Sequence, residues 1–354
     1  MDYDSWIKLP LEKQIIFLQN IIETLRIPFK IVNLHNFENI CIGILEYDSC
    51  EFLFIPGCKN VTLGWQNTST LNMMLMDDLY KIDNPLGLYK SLLNKEKNPD
   101  YINYYNSQIE SIKNGTFELP DFIKQHYHNK EMIYNYISSH TSPMRFVDIP
   151  SLIVEKQPQK ITSEKAEIMG YYDIATQKCS IPIAEDILNK LKSAAMLNAT
   201  TINIPNKFYI YLSHDKKKYY LTPPKIEIHF DDILSRITKE GFSLMNEDQW
   251  EYVCGAGNSS IFRWGNFYPN DRDTRYNFWG IDMCQKNTDR EIIYSTFFTK
   301  GGDGGRIQAE LLEYELTFAL HFPMSTSYRE PYNLSDNLIS KTQSSFFYRR
   351  AIIL

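Results

Sequence analysis

The chain has no apolar run approaching the ~18 residues that a membrane-spanning helix needs, so no membrane partner is expected. It has no CxxC pair and no Cys/His cluster at zinc-finger spacing, although six cysteines stand at 41, 50, 58, 179, 254 and 284. A basic surplus is also missing. Lys and Arg total 37 against 43 Asp and Glu, a formal net charge of −6, which disfavours phosphate contacts and predicts no nucleic-acid partner. Neither half is a charged arm, with 13 basic and 18 acidic residues over 1–150 and 24 and 25 over 151–354. No GxxxxGK[ST], GxSxG or GxGxxG occurs, and no internal repeat is visible. Met1-Asp2-Tyr3-Asp4 is acidic and runs into an amphipathic stretch, unlike a secretory leader. The expectation is therefore a cytoplasmic globular protein with free thiols rather than a disulfide framework.

Hydrophobic residues make up 43% of 354, enough to bury a sizeable core in two or three domains or in one of the larger kind. Apolar residues at 11, 15, 16, 18, 21, 22 and 25 share one helical face, opened by Pro10. Runs rich in β-branched and aromatic residues (29–32, 40–45, 52–55) follow, punctuated by Asp48-Ser49 and Pro56-Gly57, and read as strands. Residues 68–140 change character, with Asn, Lys, Tyr and Leu at helical spacing, and predict helices near 71–80, 86–94, 100–113 and 119–139. Strand signals return at 146–149, 152–154, 202–204, 208–212 and 217–221, with Lys216-Lys217-Lys218 at a hairpin turn. Helices are expected at 230–238 and from about Asn246. Beyond 254 the chain is rich in glycine and large aromatics and poor in periodicity, which predicts long irregular loops pinned by rings and side-chain hydrogen bonds.

Several segments carry a family resemblance. Gly241-Phe-Ser-Leu-Met-Asn-Glu-Asp-Gln-Trp250-Glu251-Tyr252, Phe262-Arg-Trp264-Gly265-Asn266, Asn277-Phe-Trp-Gly280-Ile-Asp282-Met, Lys300-Gly301-Gly302-Asp303 and Phe347-Tyr-Arg349 stand in order. Upstream, Phe52-Leu-Phe-Ile-Pro-Gly57 precedes Val61-Thr-Leu-Gly64. Together they resemble the motifs of the formylglycine-generating enzyme (sulfatase-modifying factor) family. The resemblance implies an α+β fold of C-type-lectin kind with little regular secondary structure, spanning about 50–65 and 145–354. The domains then read as 1–66, an N-terminal helix and the first core strands; 67–143, a helical insertion; and 144–354, the rest of the core. Trp250 and Trp264 would be core plates, and Asn266, Asn277 and Asn287 would satisfy buried loop backbone.

Active members of that family bind copper through a Cys-x4-Cys pair between the Gly-Gly motif and the closing Arg. Residues 301–354 contain no cysteine, and no other residue substitutes easily for soft thiolates as ligands of Cu(I). The expectation is a non-catalytic binding or accessory module for a small-molecule, peptide or protein ligand. Its groove would run between the loops of Trp264 and Trp279 and the 301–330 segment, with Asp303, Arg306, His321, Tyr328 and Arg329 as polar contacts, Asp303 and Arg306 lying on an exposed loop. A second expectation is a metal-dependent oxidase. The resemblance brings in a family branch that holds iron through histidines, for which His128 and Glu131, one helical turn apart, are the candidates. No cofactor is firmly implied, and calcium would fall to Asn287 and Glu291. A third is a protein-interaction scaffold built on 67–143.

Overall fold

The periodic stretches become helices and strands in the computed structural model. It describes residues 1–37, 40–65, 69–161, 169–204, 207–213, 215–222, 228–258, 260–266, 276–283, 286, 288–311, 314, 316–335 and 345–354. The fold is mixed α+β with several small sheets. At 40% helix and 26% strand, it carries more regular structure than the resemblance implied. The chain divides into two compact units, Met1–Lys160 with Phe230–Asp336 and Gln343–Leu354, and Ile161–His229 with Asn337–Thr342. The division drawn from the sequence had placed 161–229 inside a continuous 144–354 core.

In the first unit, α1 (Tyr3–Lys8) and α2 (Leu11–Thr24) precede β1 (Lys30–Phe37), β2 (Ile40–Tyr47), β3 (Cys50–Ile55) and β4 (Cys58–Leu63). The helical segment follows as α3 (Ser69–Asp83), α4 (Pro85–Lys95) and α5 (Pro99–Lys113), then a π-helical turn Ile123–Tyr127 and α6 (Lys130–Ser139). Asn84 and Asn98 cap α4 and α5, each with Pro at the first helical position, where a missing N–H costs nothing. The single helix expected over 119–139 is broken, because Asn129 turns the chain to extended geometry and caps α6. Next come β5 (Arg145–Ile149), β6 (Leu152–Glu155) and β7 (Gln159–Lys160). Gly64 sits at φ +93°, and a Cβ there would lie 2.1 Å from the Pro143 carbonyl oxygen, so only glycine lets the β4 end pass this chain.

The second unit holds β8 (Gly170–Asp173), β9 (Lys178–Cys179), α7 (Glu185–Leu197), β10 (Thr201–Ile204), β11 (Phe208–Leu212) and β12 (Lys218–Thr222). Its antiparallel sheet has the order β10-β11-β12-β8-β9. Ile187, Leu191 and Ala194 of α7 pack on Tyr172, Ile204, Ile210, Tyr219 and Leu221. The lysine hairpin falls between β11 and β12, with Leu212 opposite Tyr219.

The first unit resumes with α8 (Phe230–Lys239), α9 (Glu247–Gly255), β13 (Asp289–Ile292), β14 (Phe298–Thr299), α10 (Arg306–Leu311), α11 (Thr317–His321), β15 (Glu330–Pro331), β16 (Ser345–Tyr348) and β17 (Ala351–Ile353). Its sheets are β1-β2-β3-β6-β17, β13-β16-β7, and the pairs β4-β5 and β14-β15. One apolar core gathers Ile42, Leu53, Leu152, Val154 and Ala351 with Trp250, Tyr252 and Trp279. A second joins the helical segment (Leu75, Tyr89, Ile123, Tyr136) to Phe262, Trp264, Ile307, Phe318 and Tyr328. Residues 67–143 thus share their core with 261–328, so deleting them would strip half of that cluster.

Between these elements, loop backbone is satisfied by side chains. Asn277 Nδ2 donates to the Val253 and Cys254 carbonyls at 2.6 and 3.0 Å, closing the C-terminus of α9. Its Oδ1 accepts from Trp279 N and Ile281 N, both at 3.0 Å. Asn266 Oδ1 accepts from Ile261 N at 2.6 Å. Asn277 is buried, so Asn277→Ala would orphan groups water does not reach. We expect a loss of about 3 kcal/mol in urea unfolding; a loss below about 0.5 kcal/mol would show that the loop re-pairs its own backbone.

Candidate functional site

The site is built where the π-helical turn meets α10. Phe122 and Tyr127 are five residues apart and both buried, with ring centroids 6.2 Å apart at 29°. An α-helix would turn them well away from each other, whereas a wider π-turn brings such positions onto one side. Widening this turn leaves His126 half-buried between Phe122 (5.3 Å) and Tyr136 (5.4 Å).

On the other wall, Asp303 caps α10. Its carboxylate accepts from Gly305 N at 2.7 Å and Ile307 N at 2.8 Å. Gly305 adopts φ +84°, and a Cβ there would meet Thr288 Cγ2 at 2.8 Å. Asp303 is fully buried, not on an exposed loop as expected from the sequence; its two amide donors are what make burial tolerable. Burial pushes its pKa up, opposed by those two amides.

Arg306, the first residue of α10, leans back onto a buried polar cluster. Its Nη2 donates to Glu330 Oε2 at 3.2 Å and to Tyr136 Oη at 3.3 Å. Tyr328 Oη donates to the same Glu330 oxygen at 2.5 Å. Arg290 Nη2 stands 3.7 Å from Glu330 Oε1 and donates to the Asp303 carbonyl. Behind the guanidinium, His140 stacks on Tyr136 (4.2 Å) and Tyr328 (6.2 Å, 16°). Burial lowers the His140 pKa and pushes that of Tyr136 up to about 12, so both rings are neutral at pH 7. Arg306 alone of this cluster's cations keeps about a third of its side chain (35%) exposed. That exposed part lines a cleft of about 420 Å³ with Pro120, Asp121, Phe122, Gln125 and His126.

The remaining candidates separate. Trp264 and Trp279 are both buried and belong to different apolar clusters, so they do not flank one groove; irregular loops gave no period from which their depth could be read. Trp264 stacks on Phe262 at 5.0 Å, and Trp279 meets Tyr252 edge-on at 4.9 Å. His321 lies 6.4 Å from the Trp264 ring, its Nδ1 donating to the Thr317 carbonyl at 2.7 Å. Tyr328 is fully buried, and Arg329 forms an ion pair with Glu247. Of the seven residues placed in the expected groove, only Arg306 reaches the cleft.

The residues assigned to family motifs are structural. Trp250 and Glu251 are buried, and Glu251 is held by Lys300 Nζ (2.8 Å), Ser142 Oγ (2.5 Å) and Gly64 N (3.1 Å). Gly265, Gly280 and Gly301 all have positive φ, and buried Gly302 follows. Asp282 presents its carbonyl to Arg349 at 2.8 Å. Glu291 is buried against Arg349 at 3.1 Å and so is no open calcium ligand, while Asn287 and Cys284 lie outside the described residues. His128 and Glu131 are exposed, on the π-turn's end and the first turn of α6. Among the described residues no three His, Cys, Asp or Glu side chains are grouped to hold a metal. The described cysteines are all kept as thiols, because burial raises each pKa, that of Cys254 to about 12.

Glu330, Tyr136, Arg290 and Gln125 were not singled out in the sequence. The one signal for this cluster was the five-residue spacing of Phe122 and Tyr127, which fits neither helical nor strand period. No helix among the described residues is long and apolar enough to cross a membrane. Comparison with protein-family models, curated proteins and solved structures gave no match. The family likeness accordingly rests on the short motifs alone.

Proposed function

We propose that the chain is a binding or accessory module of formylglycine-generating-enzyme-like fold that lacks the copper chemistry of its relatives and takes a small anionic ligand in the Arg306 cleft. The observation that carries the binding reading is the Arg306 side chain, about a third of it exposed in the cleft. It is braced from behind by Glu330 and Tyr136 and flanked by His126 and Gln125. A guanidinium already oriented by two buried partners loses little freedom on accepting a carboxylate or phosphate. A wider cleft, lined in part by Asp83, Glu118, Lys124 and His128, has as its cation Lys124, which is solvent-exposed and paired with Glu118 and Asp121 and so is no such preorganised donor.

The non-catalytic reading is supported by the chemistry around the cleft. Its phenols are held neutral, its buried carboxylates are spent on Arg306, Arg290 and backbone amides, and the described thiols are unactivated. Titration with citrate and with inorganic phosphate should raise the thermal midpoint by about 2–4 °C at saturating concentration. Arg306→Gln should abolish that shift and His126→Gln weaken it, with the far-UV spectrum unchanged. An equal shift in Arg306→Gln would end the cleft assignment. Conversion of a cysteine peptide to its aldehyde by the copper-loaded protein would end the non-catalytic one.

A further inference from the structure

The sheet of the second unit has one face covered by α7 and another that no described helix of that unit covers. Strand alternation sorts the residues: Ile210, Tyr219, Leu221 and Tyr172 point to α7, and their neighbours point the other way. On this outer face the register places Thr201 opposite Tyr211, Tyr211 opposite Tyr220, and Tyr220 opposite Tyr171. A row of three tyrosines therefore crosses three adjacent strands. The Tyr211 and Tyr220 rings lie 5.5 Å apart, Tyr171 is 37% exposed, and the other two are partly exposed. Lys218 Nζ sits 4.3 Å from the Tyr171 ring centre on the same face.

Charge follows the same division. Ile161–His229 with Asn337–Thr342 contains ten lysines, no arginine and seven Asp or Glu, a formal +3. The other unit carries 27 basic and 36 acidic residues, a formal −9. The whole-chain value of −6, from which nucleic acid was excluded, averages two units of opposite sign. Exposed Lys178, Lys207, Lys216 and Lys217 edge the sheet at β9 and the hairpin turns. The acids nearest the row are engaged in their own turns. Asp173 accepts from Thr176 N and Oγ, and Asp215 from Ser213 Oγ and Lys217 N.

We propose that this tyrosine face binds a single-stranded nucleic acid, its bases stacking on the Tyr211–Tyr220–Tyr171 row and its phosphates meeting the flanking lysines. Charge complementarity selects that occupant. The planar π-faces of unpaired bases suit rings carried on adjacent strands, and a cationic margin suits the backbone that carries them. A duplex hides its base faces, and a neutral glycan makes no use of the lysines. The proposal is independent of the Arg306 cleft.

The test is fluorescence anisotropy of the full chain with a labelled twelve-nucleotide oligo(U) and oligo(dT). Micromolar binding is expected at 50 mM salt, weakening roughly tenfold or more by 200 mM as three or four phosphate contacts are screened. Tyr220→Ala and Tyr211→Ala should each weaken it about 5- to 100-fold, and Tyr220→Phe should leave it within about twofold, since the ring is what stacks. Independently of any variant, a 4-thiouridine oligonucleotide should photo-crosslink to peptides from 170–222 of the unaltered protein. Absence of binding at 50 mM salt, crosslinks confined to the other unit, or alanine variants that bind as well as the unaltered chain would each overturn the proposal. So would equal or tighter binding of a duplex or of a heparin fragment, or capture of a neutral oligosaccharide by the same face in place of the oligonucleotide.

Discussion

Arg349→Ala should cost about 5 kcal/mol and leave no folded first unit at 37 °C. The guanidinium is almost wholly buried between β16 and β17. Its Nη1 donates to the Glu155 and Lys156 carbonyls, both at 2.7 Å, its Nη2 to the Asp282 carbonyl at 2.8 Å, and its Nε to Glu291 Oε1 at 3.1 Å. One side chain thereby ties the end of β6, the loop after α9 and β13 together. Truncation leaves Glu291 buried without its counter-charge, at about 3–5 kcal/mol, and takes a donor from three carbonyls, of which that of Lys156 keeps Asp282 N at 2.9 Å. A domain of ordinary stability has only about 5–15 kcal/mol to lose. Replacing both partners, as Arg349→Met with Glu291→Met, removes the stranded charge. That double variant should be at least 2 kcal/mol more stable than the sum of the single losses in urea unfolding. Additive losses, or an Arg349→Ala within 1 kcal/mol of the unaltered chain, would refute this account.

The same residue marks how far the sequence could be read. Helical spacing, the cap signal at Asn246 and runs of β-branched and aromatic residues located the helices α2 to α5, α8 and α9 and the strands β2, β3, β5, β6, β11 and β12 to within a few residues, because each of these signals is local. Periodicity names a face, though, and never what that face meets. Arg349 could be marked as a motif position, yet its partners lie 58 to 194 residues away, and nothing local ties Arg to Glu over such distances. Lys300 and Glu251, 49 apart, and Arg350 and Glu155, 195 apart, were hidden in the same way. The candidate cleft suffered most. Arg306 was named on charge and loop position, while Glu330, which orients it, and Tyr136, which backs it, come from segments with no pattern in common. Asp303 was misplaced for a related reason. A Gly-rich stretch looks exposed in sequence, but glycines also let the chain fold tightly over a buried cap, as at Gly305. The charge partition between the two units was legible only once the boundary at 161–229 was known.

Asp78 gives the second large effect, and it is a pH effect. It is fully buried on α3 and accepts from Phe318 N at 3.3 Å and Ala319 N at 3.0 Å, in the first turn of α11. Burial drives its pKa up to about 7 in spite of those two amides and nearby Lys81. In the unfolded chain it titrates near 3.8. Between about pH 4 and 7 the folded protein therefore holds a proton that the unfolded chain has released. Stability must fall as pH rises through that window, by an amount that approaches about 4 kcal/mol above pH 7. His140 works in the opposite sense, since its lowered pKa makes stability rise with pH up to about 6.5. The difference between two chains isolates Asp78. Asp78→Asn keeps one acceptor and no titration, so it should cost about 1–2 kcal/mol at pH 5 and be at least as stable as the unaltered chain at pH 8. Urea midpoints at pH 5, 6, 7 and 8 should therefore cross, and parallel curves would mean that the carboxyl is not protonated in the fold. Because α3 and α11 share one apolar cluster with Phe122, Tyr136 and Tyr328, loosening the Asp78 contact loosens the wall behind Arg306. Anion protection at the cleft should then fall more steeply from pH 6 to pH 8 in the unaltered chain than in Asp78→Asn.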